Sequence, residues 1–143
     1  MFTTPEEFPK TAAQAFTPEP APTRASVLLA EDDRSLRRYL EVMLRRAGYD
    51  VTAAADGLEA MKAALSENFD AVVTDALMPH LSGHELCRFL RSHPKLKRLP
   101  VVLLSGADNK NASTQDTSSR ADAYLSKPVR PEELTDCLAR LLN

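Results

Sequence analysis

The sequence predicts an α/β domain in which five short parallel strands, each followed by a helix, form a doubly wound (βα)5 sheet in the order 2-1-3-4-5. Three observations predict it. Short apolar runs recur along the chain without the alternation expected of a sheet with one wet face. Segments of helical period separate them. Polar residues able to do chemistry stand just after the central runs, where a doubly wound sheet places its functional crevice.

The strand candidates are 26–30 (SVLLA), 70–74 (DAVVT) and 100–104 (PVVLL), with weaker ones at 50–54 (DVTAA) and 123–126 (AYLS). Leu36, Leu40, Met43, Leu44 and Ala47 form one stripe of an amphipathic helix, and Gly48 is a natural stop. Met61, Ala64 and Leu65 mark a second helix with Gly57 near its start. Leu86, Phe89 and Leu90 mark a third, between Gly83 and Pro94. Leu134, Leu138 and Leu141 mark the last, with Pro131 at a first helical position. One slot departs from the pattern. Between Asp108 and Arg120 the only apolar residue is Ala112, and Ser, Thr, Asn and Asp compete with the helix for backbone hydrogen bonds, so a short, frayed or mobile helix is expected there.

The chain has 143 residues, the size of one domain. Composition changes near residue 25. The stretch before it holds five of the ten prolines, and its only large apolar anchors are Phe2, Phe8 and Phe16. We read 1–25 as a disordered or extended tail and 26–143 as the folded domain. The formal net charge of −2 points to no basic face for nucleic acid and no strong acidic field. Cys87 and Cys137 fall in helical segments without CxxC spacing and read as buried thiols in a reducing compartment. No apolar run approaches the roughly 20 residues that span a bilayer, and Glu6 and Glu7 interrupt any signal-peptide pattern, so a cytoplasmic location is expected. His80, His84 and His93 lack zinc spacing and read as exposed polar residues.

The strand ends carry the chemistry. Glu31 and Asp32 follow the first strand, Asp75 closes the third, Ser105 the fourth, and Lys127 follows the fifth. These residues are scattered along the sequence, yet the topology brings them to one sheet edge. Carboxylates gathered so closely need a countercharge. A hard divalent cation supplies it, and oxygen ligands with room for waters suit Mg²⁺. With its ionised form stabilised, Asp75 can act as a nucleophile toward phosphorus, while Lys127 and the Ser105 hydroxyl help neutralise the phosphoryl oxygens.

Together, "LLAEDD", "VVTDALMP", "LLSG" and "AYLSKP" resemble the receiver domain of two-component response regulators, the CheY-like superfamily with a flavodoxin-like fold, from about Ser26 to Asn143. The resemblance implies that Asp75 is the phosphoacceptor, served by a histidine kinase or histidine phosphotransfer protein. It implies that Glu31 and Asp32 are the acidic pair around Mg²⁺, with Asp32 the direct ligand, Asp75 sharing the ion and the Leu77 backbone carbonyl completing the set. Asp33 would face outward and begin the first helix. Lys127 would pair with the phosphoryl group, and Pro128 matches the family's cis-proline. Ser105 would move to the phosphoryl oxygen, and Tyr124 would then rotate inward and change the surface seen by a protein output partner. The chain would thus be a signalling domain rather than an enzyme. With no helix-turn-helix pattern in the sequence, it would act as a stand-alone receiver without direct nucleic-acid or membrane contact.

Two departures stand out. Arg120 occupies a place where the family often has Gly, so that end of the segment is expected to be built differently. Leu77 and Ala107 are apolar where some relatives carry groups that orient a hydrolytic water, so a long-lived phosphoryl state is expected. The alternatives are a degenerate receiver that binds partners without phosphorylation, or an aspartyl phosphatase of the haloacid dehalogenase type. The latter needs a second acid where Leu77 stands.

Overall fold

A computed structural model describes residues 24–106 and 120–143. The expectations for the tail and for the segment between the fourth and fifth strands fall outside these residues, Arg24, Ala25 and Arg120 apart. Five parallel strands, β1 (Ser26–Ala30), β2 (Asp50–Ala54), β3 (Ala71–Asp75), β4 (Val101–Ser105) and β5 (Ala123–Ser126), form one sheet in the order β2-β1-β3-β4-β5. Among the described residues the connecting helices are α1 (Arg34–Arg46), α2 (Gly57–Ser66), α3 (Gly83–Ser92) and α4 (Pro131–Leu142). The third and fourth strands begin one residue later than their apolar runs. Pro100 has no N–H to donate to a ladder. Asp70 turns its carboxylate to the Ser26 N–H, 2.7 Å away.

Every residue of β3 and β4 is buried, which accounts for the apolar runs 71–73 and 101–104, with the buried polar residues Thr74, Asp75 and Ser105 confined to the C-terminal ends. Side chains of β1 alternate between two cores. Val27 and Leu29 pack with Leu40 and Leu44 of α1 and Leu134 and Leu138 of α4. Leu28 and Ala30 pack with Ala60 and Ala64 of α2 and Leu86 and Leu90 of α3. Full burial of a leucine side chain is worth about 1.5–3 kcal/mol, so these two layers hold the helices and fix where the strand ends point.

The caps follow local chemistry. The Asp33 carboxylate accepts from the Ser35 and Leu36 N–H groups and starts α1, as the sequence implied. Gly48, at φ 102°, ends it. Ser82 and Glu85 form a reciprocal capping box on α3, and Pro131 opens α4. Among the described residues no helix is long and apolar enough to cross a membrane.

Three expectations need correction. His84 is buried rather than exposed: it occupies the second position of α3, on the side it shares with Gly83 and Cys87, both also buried. Arg120 takes the left-handed conformation after all, at φ 57°. Arg91 holds it there: its guanidinium donates to the Arg120 carbonyl at 2.9 Å and the Leu99 carbonyl at 2.7 Å, and pairs with Asp122 at 2.6 Å. That network offsets the roughly 1–2 kcal/mol that a side chain costs in this conformation. The near-neutral total charge also hides a local strip, since α1 carries Arg34, Arg37, Arg38, Arg45 and Arg46 against Glu41 alone.

Both cysteines are buried in helices as expected. Burial pushes the Cys87 thiol up to about 11 and raises that of Cys137 as well, which keeps both protonated and unreactive.

Candidate functional site

Strand register assembles the site. Ala30 lies opposite Thr74, so Glu31 and Asp75 are the next residues along neighbouring strands. Asp75 pairs with Leu104, and Ser105 pairs with Ser126. Glu31, Asp75, Ser105 and Lys127 therefore stand within about one strand residue, ~3.3 Å, of a single line across the sheet's C-terminal edge. Carboxylate oxygens of Glu31, Asp32 and Asp75 lie within 4.8 Å of one another.

Lys127 bridges two of these acids. Its ammonium is 3.1 Å from Oε1 of Glu31 and 3.0 Å from Oδ2 of Asp75. Glu31 is fully buried, and its other oxygen accepts from the Asp33 N–H at 3.1 Å. Burial, with repulsion from Asp75, lifts Glu31 to about 7 against the pull of the Asp33 N–H and the Lys127 charge. For Lys127, burial works downward. The hydrogen bonds and charges of Asp75 and Glu31 outweigh it, so its pKa is raised and it stays an ammonium. The Lys127–Pro128 bond is cis.

Several supporting residues escaped sequence reasoning. Gly83 passes so close to Asp75 that a Cβ there would collide with the Asp75 carbonyl, and the Gly83 N–H donates to the Ala76 carbonyl at 2.8 Å. Gly57 makes the same kind of approach to the backbone of Leu81. The two glycines press the loop after β3 against the starts of α2 and α3. The Thr74 hydroxyl donates to the Asp75 carbonyl at 3.0 Å, and Arg37 donates to the Glu31 carbonyl at 2.9 Å. The capping box was legible as S-x-x-E in "SGHE".

Residues 27–139 match the family described as the response regulator receiver domain. The chain belongs to that family. Response regulator MprA of Mycolicibacterium vanbaalenii is 40% identical over 117 residues, covering 82% of this chain and 50% of that protein. The chain spans about half the length of the curated relatives it matches. Among solved structures, chemotaxis response regulator CheY4 of Vibrio cholerae superposes with a TM-score of 0.76 at 34% identity, covering 84% of this chain and all of that one. The receiver domain of sensor histidine kinase PA1611 from Pseudomonas aeruginosa gives 0.78 at 30% identity, over 84% and 98%, and its structure has a magnesium ion coordinated in the active-site cleft.

The acidic cluster of this receiver domain fits a hard cation. Mg–O distances of about 2.0–2.1 Å set neighbouring ligand oxygens about 3–4 Å apart, so only small side-chain adjustments separate the observed cluster from such a set. The donors are all oxygen, and Lys127 alone does not balance three carboxylates. The other residues singled out from the sequence are not all gathered with them. The Leu77 side chain is exposed on the loop after β3. Ser105 is buried at the end of β4. Tyr124 is not a core aromatic. It is 38% exposed, and its hydroxyl accepts from the Ala121 N–H at 3.3 Å, toward the start of β5 and away from the acids.

Proposed function

We propose that Asp75 accepts a phosphoryl group from the phosphohistidine of a histidine kinase or histidine phosphotransfer protein, and that the phosphorylated receiver acts by changing its protein contacts. The observation that carries this reading is the placement of Asp75, at the end of a fully buried strand, beside two further carboxylates and in contact with the Lys127 ammonium.

Each residue then has a task. The Asp75 carboxylate oxygen attacks phosphorus in line. The bond from phosphorus to the donor imidazole breaks, and the imidazole leaves with the electron pair and takes up a proton. Glu31, Asp32, Asp75 and the Leu77 carbonyl would hold Mg²⁺, whose charge would neutralise the phosphoryl oxygens. Lys127, already on Asp75, shifts to a phosphoryl oxygen as the carboxylate becomes an ester. Buried Ser105 donates its hydroxyl to another. Tyr124 gives up its contact with the Ala121 N–H and turns inward, which changes the β4–β5–α4 surface offered to an output partner. The chain is a signalling substrate that assists its own modification, rather than an enzyme acting on a pool of substrate.

The test is transfer from a radiolabelled phosphohistidine donor. Label should leave the donor and appear on the wild-type chain, and it should stay on the donor with Asp75→Asn. Transfer to the Asp75→Asn variant at the wild-type rate would refute the assignment.

A further inference from the structure

At the N-terminal edge of the sheet, opposite the acids, an open groove of about 290 Å³ lies between the stretch after α2 and the turns that join α3 to β4. Phe69, Leu96, Leu99 and Pro100 form its apolar wall, each of them half-buried. Lys95 and Arg98 stand exposed on its rim, and exposed Lys97 lies between them in sequence. Two acids, Glu67 and Asp70, share the rim, and the Asp70 carboxylate accepts from the Ser26 N–H at 2.7 Å. That bond also fixes where the chain enters β1. Ser26 is one hydrogen bond from a residue that lines the groove, and the N-terminal stretch joins the domain two residues earlier, at Arg24.

We propose that this groove takes the chain's own segment 16–23 (FTPEPAPT), with Phe16 against Phe69, Leu96 and Leu99 and Glu19 on the rim cations. Residues 1–23 lie outside the described residues, and covalent geometry sets what they can reach. Phe16 is eight residues before Arg24, a span of at most about 29 Å. Phe8 is twice as far along the chain, and effective concentration falls as about the −3/2 power of linker length, so Phe16 has about a threefold advantage over it. Pro18, Pro20 and Pro22 have their φ angles fixed in advance, which reduces the entropy lost on docking. Glu19 is the one charge in 16–23, and its sign is opposite to that of Lys95 and Arg98. The same peptide chemistry on another molecule would lack the tether, which supplies an effective concentration of millimolar order. The groove and Asp75 lie at opposite edges of the sheet, so the docking stands or falls independently of the phosphoacceptor assignment.

The test is paramagnetic broadening in the amide NMR spectrum of the full chain, with a nitroxide on Ala13→Cys. Cys87 and Cys137 stay unlabelled because both are buried. The nitroxide should broaden the amide signals of Phe69, Leu96 and Leu99 several-fold more than those of α4. Adding Phe16→Ala/Glu19→Lys should remove most of that contrast. The labelled chain without those changes carries the test should the variant fail to fold. Broadening spread evenly over the surface overturns the proposal, as does broadening centred on another face. So does a contrast that Phe16→Ala/Glu19→Lys leaves unchanged. An isotope-labelled chain without nitroxide, mixed with a nitroxide-bearing copy that is silent in the spectrum, should show no such contrast. Broadening of the same three residues in that mixture would mean that a second copy fills the groove, and would overturn the assignment to the chain's own segment.

Discussion

Nζ of Lys127 lies 3.0 Å from Oδ2 of Asp75, and the same ammonium contacts the buried Glu31 at 3.1 Å. One cation thus holds together two carboxylates that would otherwise repel. Lys127→Met should cost about 3–5 kcal/mol of stability in the presence of EDTA, the usual penalty for stripping a buried charge of its partner. Protonation of Glu31 limits the loss at lower pH. Magnesium should restore most of it and should bind the variant more tightly than wild type, because no ammonium competes for the same oxygens. Urea melts with and without Mg²⁺ check this. Equal stability of the two proteins in EDTA would contradict it.

Glu31 sets a pH dependence. Its carboxyl is raised to about 7 in the folded protein from an ordinary 4.5, chiefly by burial. Between those values the folded state binds more protons than the unfolded chain, so metal-free stability grows as pH falls from about 7 toward 4.5 and is lost as pH rises through 7. Glu31→Gln should flatten that window in EDTA. At pH 7 the binding of Mg²⁺ should release part of a proton, seen by titration calorimetry in buffers of different ionisation enthalpy. A Glu31→Gln profile parallel to wild type would show that Glu31 is not the titrating group.

Gly83 and Ser82 are neighbours with different duties. Ser82→Ala removes a helix cap and should cost about 1 kcal/mol without touching Asp75. Gly83→Ala drives a methyl into the Asp75 carbonyl, should cost about 1–3 kcal/mol or more, and should also weaken Mg²⁺ binding because the acid is displaced. Denaturant melts paired with metal titrations separate the two. Equal metal affinity in both variants would argue against the positioning role.

What could be read in the sequence follows from how far apart the interacting residues are. The buried strands announced themselves because the bodies of β1, β3 and β4 are covered on both faces, which calls for runs of apolar residues there. Convergence of Glu31, Asp75, Ser105 and Lys127 was legible because strands in a parallel sheet end at one edge whatever the loops do. Features set by a single distant contact were not. Arg120 is held left-handed by Arg91, 29 residues away in sequence. The need for glycine at 57 and 83 comes from the backbones of Leu81 and Asp75, which the fold brings against them. His84 is buried at the start of α3, where the packing is set by the fold around the helix's first turn, and helical period alone did not reveal it.

On the proposed assignment of Asp75 as acceptor, Leu77 bears on the lifetime of the phosphoryl group. Its side chain is exposed and apolar on the loop two residues after Asp75, so it offers no hydrogen-bonding group to orient an attacking water. Phosphorylated wild type should lose its label slowly. Leu77→Asn, which adds a hydrogen-bonding group there, should lose it several-fold faster. Decay of label from purified protein in Mg²⁺ measures both, and equal rates would exclude Leu77 as a determinant.

The most direct measurement is mass-spectrometric mapping after treatment with a small phosphodonor such as acetyl phosphate, with Mg²⁺ or with EDTA. The account predicts one phosphoryl group, on Asp75, in Mg²⁺ alone, and none on Asp75→Asn. A phosphoryl group on another residue, or equal labelling of Asp75 when the metal is chelated, would contradict it.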